Sequence, residues 1–254
     1  MKQFSTLVKK EFSESAKTFR LYTMLAAFFV FGVISPLFAK LMPDIFNSLE
    51  DTGFIITIPE PTALDSWGQF FNNVSQMGML VLIIVFCGIM ANELSRGTLI
   101  NLLTKGLRRH TVILAKFLTS SVLWAACYTL CLGVCYLYTA YFWGTGEMPH
   151  AFLVFIAPWL FGELLIALMI FGGAVFGNIY GSLLCCLGAV IAMNLISIAP
   201  KAARYNPLTL SAGTLELLAG TKEPSDFIIA VLVCCVLTAA LTAGTVIVFN
   251  KKSV

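Results

Sequence analysis

The chain has 254 residues, of which 59% are hydrophobic and only 11% carry a charged side chain. Soluble domains average about 25% charged residues, so this composition excludes a soluble globular fold and is typical of an integral membrane protein. The net charge of +3 says little as a sum, and all eight cysteines lie in hydrophobic stretches, which argues against a disulfide framework.

The first twenty residues predict an amphipathic helix. Apolar residues recur every three to four positions, and basic residues occupy the opposite face. The segment lacks the small-residue cleavage site of a secretory signal, and we expect it to lie in the membrane interface before the first span. The apolar face that we expect to hold it there includes Phe4, Leu7, Val8 and Phe12.

Six hydrophobic stretches are long enough to cross a hydrocarbon core, which takes about 20 apolar residues. We therefore predict one all-α polytopic membrane domain over residues 1–254, with the interfacial helix at 1–20. A shorter apolar run at 208–219 predicts a re-entrant segment before the last span, or a helix resting on the outer headgroups. The six spans are predicted at about 21–41, 74–91, 112–142, 152–176, 182–199 and 227–249.

The distribution of positive charge predicts the orientation. Five Lys and Arg precede span 1, five lie in the connection between spans 2 and 3, and two follow span 6. The remaining connections hold four Lys and Arg against nine Asp and Glu. Because short loops rich in Lys and Arg stay in the cytoplasm, we predict that both termini are inside.

The sequence carries no recognisable catalytic motif. No Gly-x-x-x-x-Gly-Lys-Ser/Thr pattern occurs, so we expect no ATP site in this chain. His110 and His150 fall on opposite sides of the predicted membrane, which argues against a metalloprotease or a Ser-His relay. Cys127, Cys131 and Cys135 share a helical face, and close helix packing is favoured over a metal or redox site. We predict no enzymatic activity, no metal and no directly bound cofactor.

Glu163 is the one carboxylate inside a predicted span. An ionisable residue at such depth is costly and is a functional hypothesis by default. One interpretation is a proton or cation site on a translocation route. The favoured alternative is a carboxyl group that is hydrogen-bonded to a neighbouring helix, because a single acid without an embedded partner is a poor relay.

The connection between spans 2 and 3 is both basic and apolar. An ordinary cytoplasmic loop explains the charges but not the leucines, and apolar residues at this density usually mark a partner surface. We predict one short helix, ended by Gly106, that docks in a groove of a soluble partner. Its candidate docking residues are Glu93, Arg96, Gly97, Thr98, Leu99, Leu102, Leu103, Arg108 and Arg109.

This connection resembles a family signature. Residues 93–106 read Glu-Leu-Ser-Arg-Gly-Thr-Leu-Ile-Asn-Leu-Leu-Thr-Lys-Gly, followed by Arg108-Arg109 and Ala115-Lys116-Phe117. The pattern is similar to the second-loop signature of ABC-2 type transporter permeases, with Gly106 where a proline is common. The predicted interfacial helix, six spans and re-entrant element also match the family's plan, and Asn206-Pro207 stands where such permeases often carry an Asn-Pro element.

The resemblance implies the membrane subunit of an ATP-driven exporter in the bacterial cytoplasmic membrane. Two permeases, identical or homologous, would pair with two separate ABC ATP-binding subunits that hold ATP and Mg²⁺, and no nucleic acid is implied. The loop would be the coupling helix, with Glu93 and Arg96 as polar contacts and leucines as anchors. The short-loop build is similar to peptide or antibiotic exporters, including phenol-soluble modulin exporters, which implies an amphipathic peptide, antibiotic or lipid-like cargo.

Two other functions use the same residues. A non-transporting membrane anchor or sensor subunit would recruit a cytoplasmic protein through the loop and would need no path across the membrane. Ion-coupled transport through Glu163 would run on a gradient without ATP. These alternatives differ in whether a partner hydrolyses ATP and whether that hydrolysis drives transport.

Overall fold

A computed structural model describes residues 2–47, 60–95, 97, 108–144, 146 and 148–251. Within these residues the regular structure is all-helical, and six helices are long and apolar enough to cross a membrane. The predicted helical fold with six candidate spans is confirmed, whereas the orientation in the membrane stays a prediction. The candidates, called spans 1 to 6 below, are Arg20–Ile45, Ala63–Ser95, Arg109–Trp143, Ala151–Phe176, Ile179–Ser197 and Phe227–Lys251.

The N-terminal helix, Lys2–Lys17, is separated from span 1 by a turn at Phe19. Phe19 has a φ of 59° and an exposed ring. Because this left-handed conformation interrupts a helix, the chain changes direction before the helix Arg20–Asn47 begins. The N-terminal helix packs against spans 1 and 3.

Span 2 begins earlier in the structure than the sequence predicts. Its helix starts at Ala63 rather than near residue 74, because Thr62 and Asp65 form a capping box. The backbone N–H of Thr62 donates to Asp65 Oδ2 at 2.8 Å. Buried aromatic side chains then hold this first part of the span against the core. The pieces of span 2 are Ala63–Asn73, a π-helical turn at Val74–Gly78, Met79–Phe86 and Ala91–Ser95.

Span 4 lies at the centre of the bundle. It packs along spans 5 and 6 on one side and contacts spans 2 and 3 on the other, while span 1 packs on span 3. Aromatic rings fill the space where spans 1 to 4 meet. The ring centroids of Phe28 and Trp124 lie 5.2 Å apart, and those of Trp67 and Phe155 lie 4.9 Å apart.

Small residues permit the close approach of neighbouring spans. A Cβ at Gly162 of span 4 would lie 2.4 Å from Trp124 Nε1, and one at Gly32 of span 1 would lie 2.8 Å from the carbonyl oxygen of Cys131. Such close approach to a glycine, by a side chain or by backbone, is typical of helix packing in membranes. The three cysteines on this face of span 3 are free and buried, as the packing interpretation requires: Cys127, Cys131 and Cys135.

Two short helices, Thr209–Ala212 and Thr214–Leu218, occupy the apolar run before span 6. They pack against spans 2, 4 and 6. Asn206 fixes their start, since its amide donates to the carbonyl of Met193 at 2.6 Å and its side-chain oxygen accepts from the Leu208 N–H at 3.1 Å. Cover by protein is what a re-entrant segment requires, and the depth of this segment in a bilayer stays a prediction.

Candidate functional site

Two lysines and three glutamates meet where the N-terminal helix contacts the end of span 2 and the start of span 3. Lys116 Nζ lies 3.0 Å from Glu11 Oε2 and 2.8 Å from Glu93 Oε2. Lys10 Nζ lies 2.6 Å from Glu93 Oε1 and also contacts Glu11 and Glu14. Three separate segments of the chain are thus joined by ionic contacts, and these five residues are called the ion cluster below.

Most of the ion cluster is shielded from solvent. Lys116 is 1% exposed, Glu11 is 4% exposed and Glu93 is 7% exposed. A buried ion costs several kcal/mol unless it is paired, and removing one partner of a buried pair leaves an uncompensated charge. The cluster is therefore stable only when its three helices keep one relative arrangement.

Lys10 is the half-exposed member of the ion cluster. Burial acts to lower the pKa of Lys10, but the hydrogen bond to Glu93 and the charges of Glu11, Glu93 and Glu14 outweigh it, so the pKa is raised above its ordinary value. Lys10 therefore stays charged at physiological pH. The three carboxylates are close enough to share a metal ion. However, the ammonium group of Lys10 contacts all three and that of Lys116 contacts two, so the two lysines already offset most of their charge.

The N-terminal helix buries a face that is partly charged. The sequence predicts an apolar face made of Phe4, Leu7, Val8 and Phe12. Leu7 is buried, Phe4 and Val8 are partly buried against the core, and Phe12 is 39% exposed. The residues buried one and two turns beyond Leu7 are Glu11 and Ser15. Sequence periodicity does not predict the burial of Glu11, because its partner, Lys116, lies in span 3.

Glu93 and Gly97 do not belong to the single loop helix that the sequence predicts. Glu93 lies in the short helix Ala91–Ser95 at the end of span 2. Gly97 has a φ of 65°, and its N–H donates to the carbonyl of Leu94 at 3.2 Å, which ends that helix. A helix running on from Glu93 is therefore interrupted at Gly97. The other candidate docking residues of the loop lie outside the described residues: Arg96, Thr98, Leu99, Leu102 and Leu103.

The two arginines that follow the loop have different surroundings. Arg108 is exposed at the N-cap of span 3. Arg109 Nη1 donates to the carbonyls of Phe249 at 2.5 Å and Asn250 at 3.3 Å. A cation at a helix C-terminus is favourable, so Arg109 caps span 6. The sequence assigns Arg109 to a partner surface, but the structure binds it to its own chain.

Glu163 lies in the middle of span 4 and is 5% exposed. Ser121 of span 3 donates from Oγ to Glu163 Oε1 at 2.7 Å. Glu163 Oε2 has no hydrogen-bond partner among the described residues. The favoured interpretation is a carboxyl group that is hydrogen-bonded to a neighbouring helix. It holds for Oε1 but, within the described part of the chain, not for Oε2.

Glu163 lines a groove of about 580 Å³ between spans 3, 4 and 6. The other walls are mostly apolar, and exposed small residues of span 6, including Ala239 and Ala243, leave the groove open at the bundle surface. Trp159 forms part of the wall, and its carbonyl accepts from Trp124 Nε1 at 3.0 Å, which ties span 4 to span 3. This volume lies within the range of about 300–1,000 Å³ that small-molecule sites occupy.

No family model matches this chain. The chain is similar to the uncharacterized transmembrane protein YxlG of Bacillus subtilis (strain 168), with 23% identity over 233 residues, which is 89% of each chain. This likeness extends over almost the full length of both chains. Together with the six apolar helices, it makes this chain a multi-pass membrane protein.

Proposed function

We propose that the chain is the membrane-spanning permease subunit of an ATP-driven ABC exporter in the bacterial cytoplasmic membrane. Two separate ATP-binding subunits supply ATP hydrolysis, and a second permease, identical or homologous, completes the assembly. The cargo is an amphipathic peptide, an antibiotic or a lipid-like molecule. The observation that carries the proposal is the ion cluster, which ties the N-terminal helix to both sides of the loop with the ABC-2-like signature.

The ion cluster gives the loop a mechanical connection to the bundle. Glu93 precedes the loop and Lys116 follows it, and both bind the N-terminal helix. A partner that displaces the loop therefore moves the adjoining parts of spans 2 and 3 together, because separating them would uncover buried charge. Span 3 also carries Ser121, which contacts Glu163 in the groove, so movement of span 3 reaches the groove directly.

The arrangement of the chain ends supports the proposed orientation. The N-terminal helix, the end of span 2, the start of span 3 and the end of span 6 are joined by contacts at one end of the bundle. These segments and the residues that adjoin them in sequence hold twelve of the sixteen Lys and Arg of the chain. Positive charge of this kind stays in the cytoplasm, where the ATP-binding subunits are found.

The groove favours transport over a purely anchoring role. An anchor or sensor subunit needs a docking loop but no recess in its spans. The groove between spans 3, 4 and 6 is large enough for a small molecule and is open to the bundle surface. Movement of span 3 changes its shape, which is what a transport cycle requires.

The docking step is tested by removing two apolar anchors from the loop. We expect the double substitution Leu102→Asp and Leu103→Asp to abolish co-purification of an ATP-binding subunit while the spans still insert. The matched control, Asn101→Asp, adds a negative charge to the same loop without removing an anchor and should keep the subunit. Retention of the subunit by the double variant at normal stoichiometry contradicts the docking assignment.

Transport is tested on the reconstituted complex. We expect the chain to stimulate ATP hydrolysis by its partner, and replacement of the Walker A lysine of the partner should stop export. Binding without any stimulation would favour the anchor subunit. Export that continues without ATP, needs an ion gradient and fails in Glu163→Gln would instead establish ion-coupled transport.

A further inference from the structure

Glu163 is a buried acceptor with part of its capacity unused. Its Oε1 accepts one hydrogen bond from Ser121, and its Oε2 accepts none among the described residues, although Glu163 is only 5% exposed. A carboxylate offers about four acceptor positions. A buried polar group without a partner is costly, so a carboxylate in this setting suits a ligand that supplies the missing donor.

No described wall residue donates to Glu163 Oε2, and the indole N–H of Trp159, which also lines the groove, likewise has no partner among the described residues. No Lys, Arg or His is among the described residues that line it. Thr238 and Thr242 face the groove, but their hydroxyls donate to the carbonyls of Cys234 and Thr238 within span 6. The groove itself thus offers Glu163 no cation among the described residues, and a molecule that enters the groove can supply one.

The shape and chemistry of the groove define that molecule. Apolar side chains line most of its 580 Å³, which favours an alkyl or aromatic body. The single carboxylate favours a group that is positively charged and carries N–H donors, because charge-assisted hydrogen bonds are roughly twice as strong as neutral ones. Both requirements are met by an amphiphile with a primary or secondary ammonium group.

The depth of Glu163 separates such a ligand from bilayer lipids. Glu163 lies about 18 Å along span 4 from Ala151, at about 1.5 Å per residue. This places it near the middle of a hydrocarbon core about 30 Å thick, whereas the amines of lipid headgroups stay at the interface. A headgroup amine therefore does not reach Glu163 from its usual position.

We propose that the groove between spans 3, 4 and 6 is a binding site for amphiphiles that carry an ammonium group, with Glu163 as its anion. The claim that such an amphiphile is cargo rests on the proposed function. The claim that it binds in the groove does not. The site needs no ATP-binding subunit, so a test on the isolated chain can succeed or fail independently of the exporter hypothesis.

The test compares octylamine with octan-1-ol, a neutral molecule of the same chain length. Each is titrated calorimetrically into the full chain in phosphatidylcholine nanodiscs, and the heat of partition into empty nanodiscs is subtracted. We expect octylamine to bind at least about ten-fold more tightly than octan-1-ol, and Glu163→Gln to remove that preference. Ala239→Leu, which fills the open side of the groove, should weaken both ligands.

Two further arms locate the site and identify the source of the amine. Octylamine should slow the labelling of Cys235, an exposed thiol that lines the groove, by N-ethylmaleimide. Replacing half of the lipid by phosphatidylethanolamine should leave octylamine binding unchanged, and its loss would assign the site to a lipid headgroup instead.

The contrast between the two ligands in the unaltered chain decides the proposal even if a variant fails to fold. Equal affinities for octylamine and octan-1-ol overturn it, as does undiminished octylamine binding by a folded Glu163→Gln. A successful titration combined with a failed search for an ATP-binding partner would leave the binding site standing and remove the exporter.

Discussion

The ion cluster and Glu163 are two ways of burying carboxylates in the same bundle. In the ion cluster, Glu11 and Glu93 are almost fully buried and both contact Lys116. Glu163 is buried to a similar degree, but among the described residues it has only the hydroxyl of Ser121 on one oxygen. The carboxylates of Glu11 and Glu93 thus have cationic partners within the chain, and that of Glu163 has none in the part that the structure describes.

This difference separates a structural role from a binding role. A buried ion that is paired within the chain fixes the helices that carry it, and removing its partner costs stability. A buried acceptor that has no cation among the described residues adds no ionic contact to the fold, yet it can select a ligand. Substitutions in the ion cluster should therefore lower the stability of the chain, whereas substitution of Glu163 should change ligand binding and leave the fold intact.

The largest loss of stability is expected from Lys116→Met. This change removes the buried cation that Glu11 and Glu93 share and leaves them, in the described part of the chain, only the half-exposed Lys10, and breaking a buried pair costs about 3–5 kcal/mol. Unfolding can be followed in mixed micelles with rising SDS by the reaction of a fluorogenic maleimide with the buried thiols, such as Cys127.

Two variants check that the effect of Lys116→Met comes from unpaired charge. The double variant Lys116→Met with Glu93→Gln should recover part of the lost stability, because one of the two carboxylates that lost Lys116 is then neutral. Lys17→Met removes an exposed lysine from the N-terminal helix and should change stability by less than about 0.5 kcal/mol. An equally mild result for Lys116→Met would show that the ion cluster does not hold the helices.

A smaller loss is expected from Gly162→Ala, beside the groove. The new methyl group would lie 2.4 Å from Trp124 Nε1, so spans 3 and 4 must separate or the indole must move, at a cost of about 1–3 kcal/mol. The same SDS titration measures the change. Gly133→Ala in span 3 is the matched control, because a Cβ at Gly133 meets no atom within 4 Å and alanine favours a helix. Equal stability of the two variants would contradict the close approach of the spans.

Lys10→Met should cost less than about 1 kcal/mol. Among the described residues Lys10 makes three ionic contacts and Lys116 makes two, but the side chain of Lys10 is 41% exposed, so water screens its contacts. Because the pKa of Lys10 is raised, its contribution is fully present below the ordinary value of about 10.4 and is lost only as the pH rises through the raised value. The difference between Lys10→Met and the unaltered chain should therefore be the same at pH 6 and pH 8. A larger difference at pH 8 would assign Lys10 a lower pKa.

Hydropathy alone predicts six helices because each span must be apolar over its whole length. Hydropathy does not predict the start of span 2, because the segment from Ala63 mixes apolar residues with Asp65, Gln69 and Asn72. Its signal is a local one, a Thr followed three residues later by an Asp that caps the helix. A capping pattern in front of a segment of apolar and polar residues can therefore indicate that a membrane helix begins before its hydrophobic stretch.

The ion cluster and the role of Arg109 could not be predicted from local sequence. Glu11 and Lys116 are 105 positions apart, and Arg109 binds backbone carbonyls at the far end of the chain. Neither contact leaves a periodic pattern. Glu163 stands out in the sequence as a lone carboxylate within a span, but the groove beside it arises only from the packing of spans 3, 4 and 6.

The smallest loss of stability is expected from Glu163→Gln, which is nonetheless the most informative substitution for the comparison of the two regions. Glutamine keeps the shape of the side chain and an oxygen that can accept the hydrogen bond from Ser121. The change removes a buried carboxyl group that has no cation among the described residues, so the free energy of unfolding should stay the same or rise.

Glu11→Gln is the matched control in the same SDS titration, because it neutralises an equally buried carboxylate that contacts Lys116. It should destabilise the chain clearly more than Glu163→Gln does. If the two substitutions cost the same, Glu163 has a cationic partner of its own. In that case all three carboxylates are paired and hold helices together, and Glu163 has no separate role in binding a ligand.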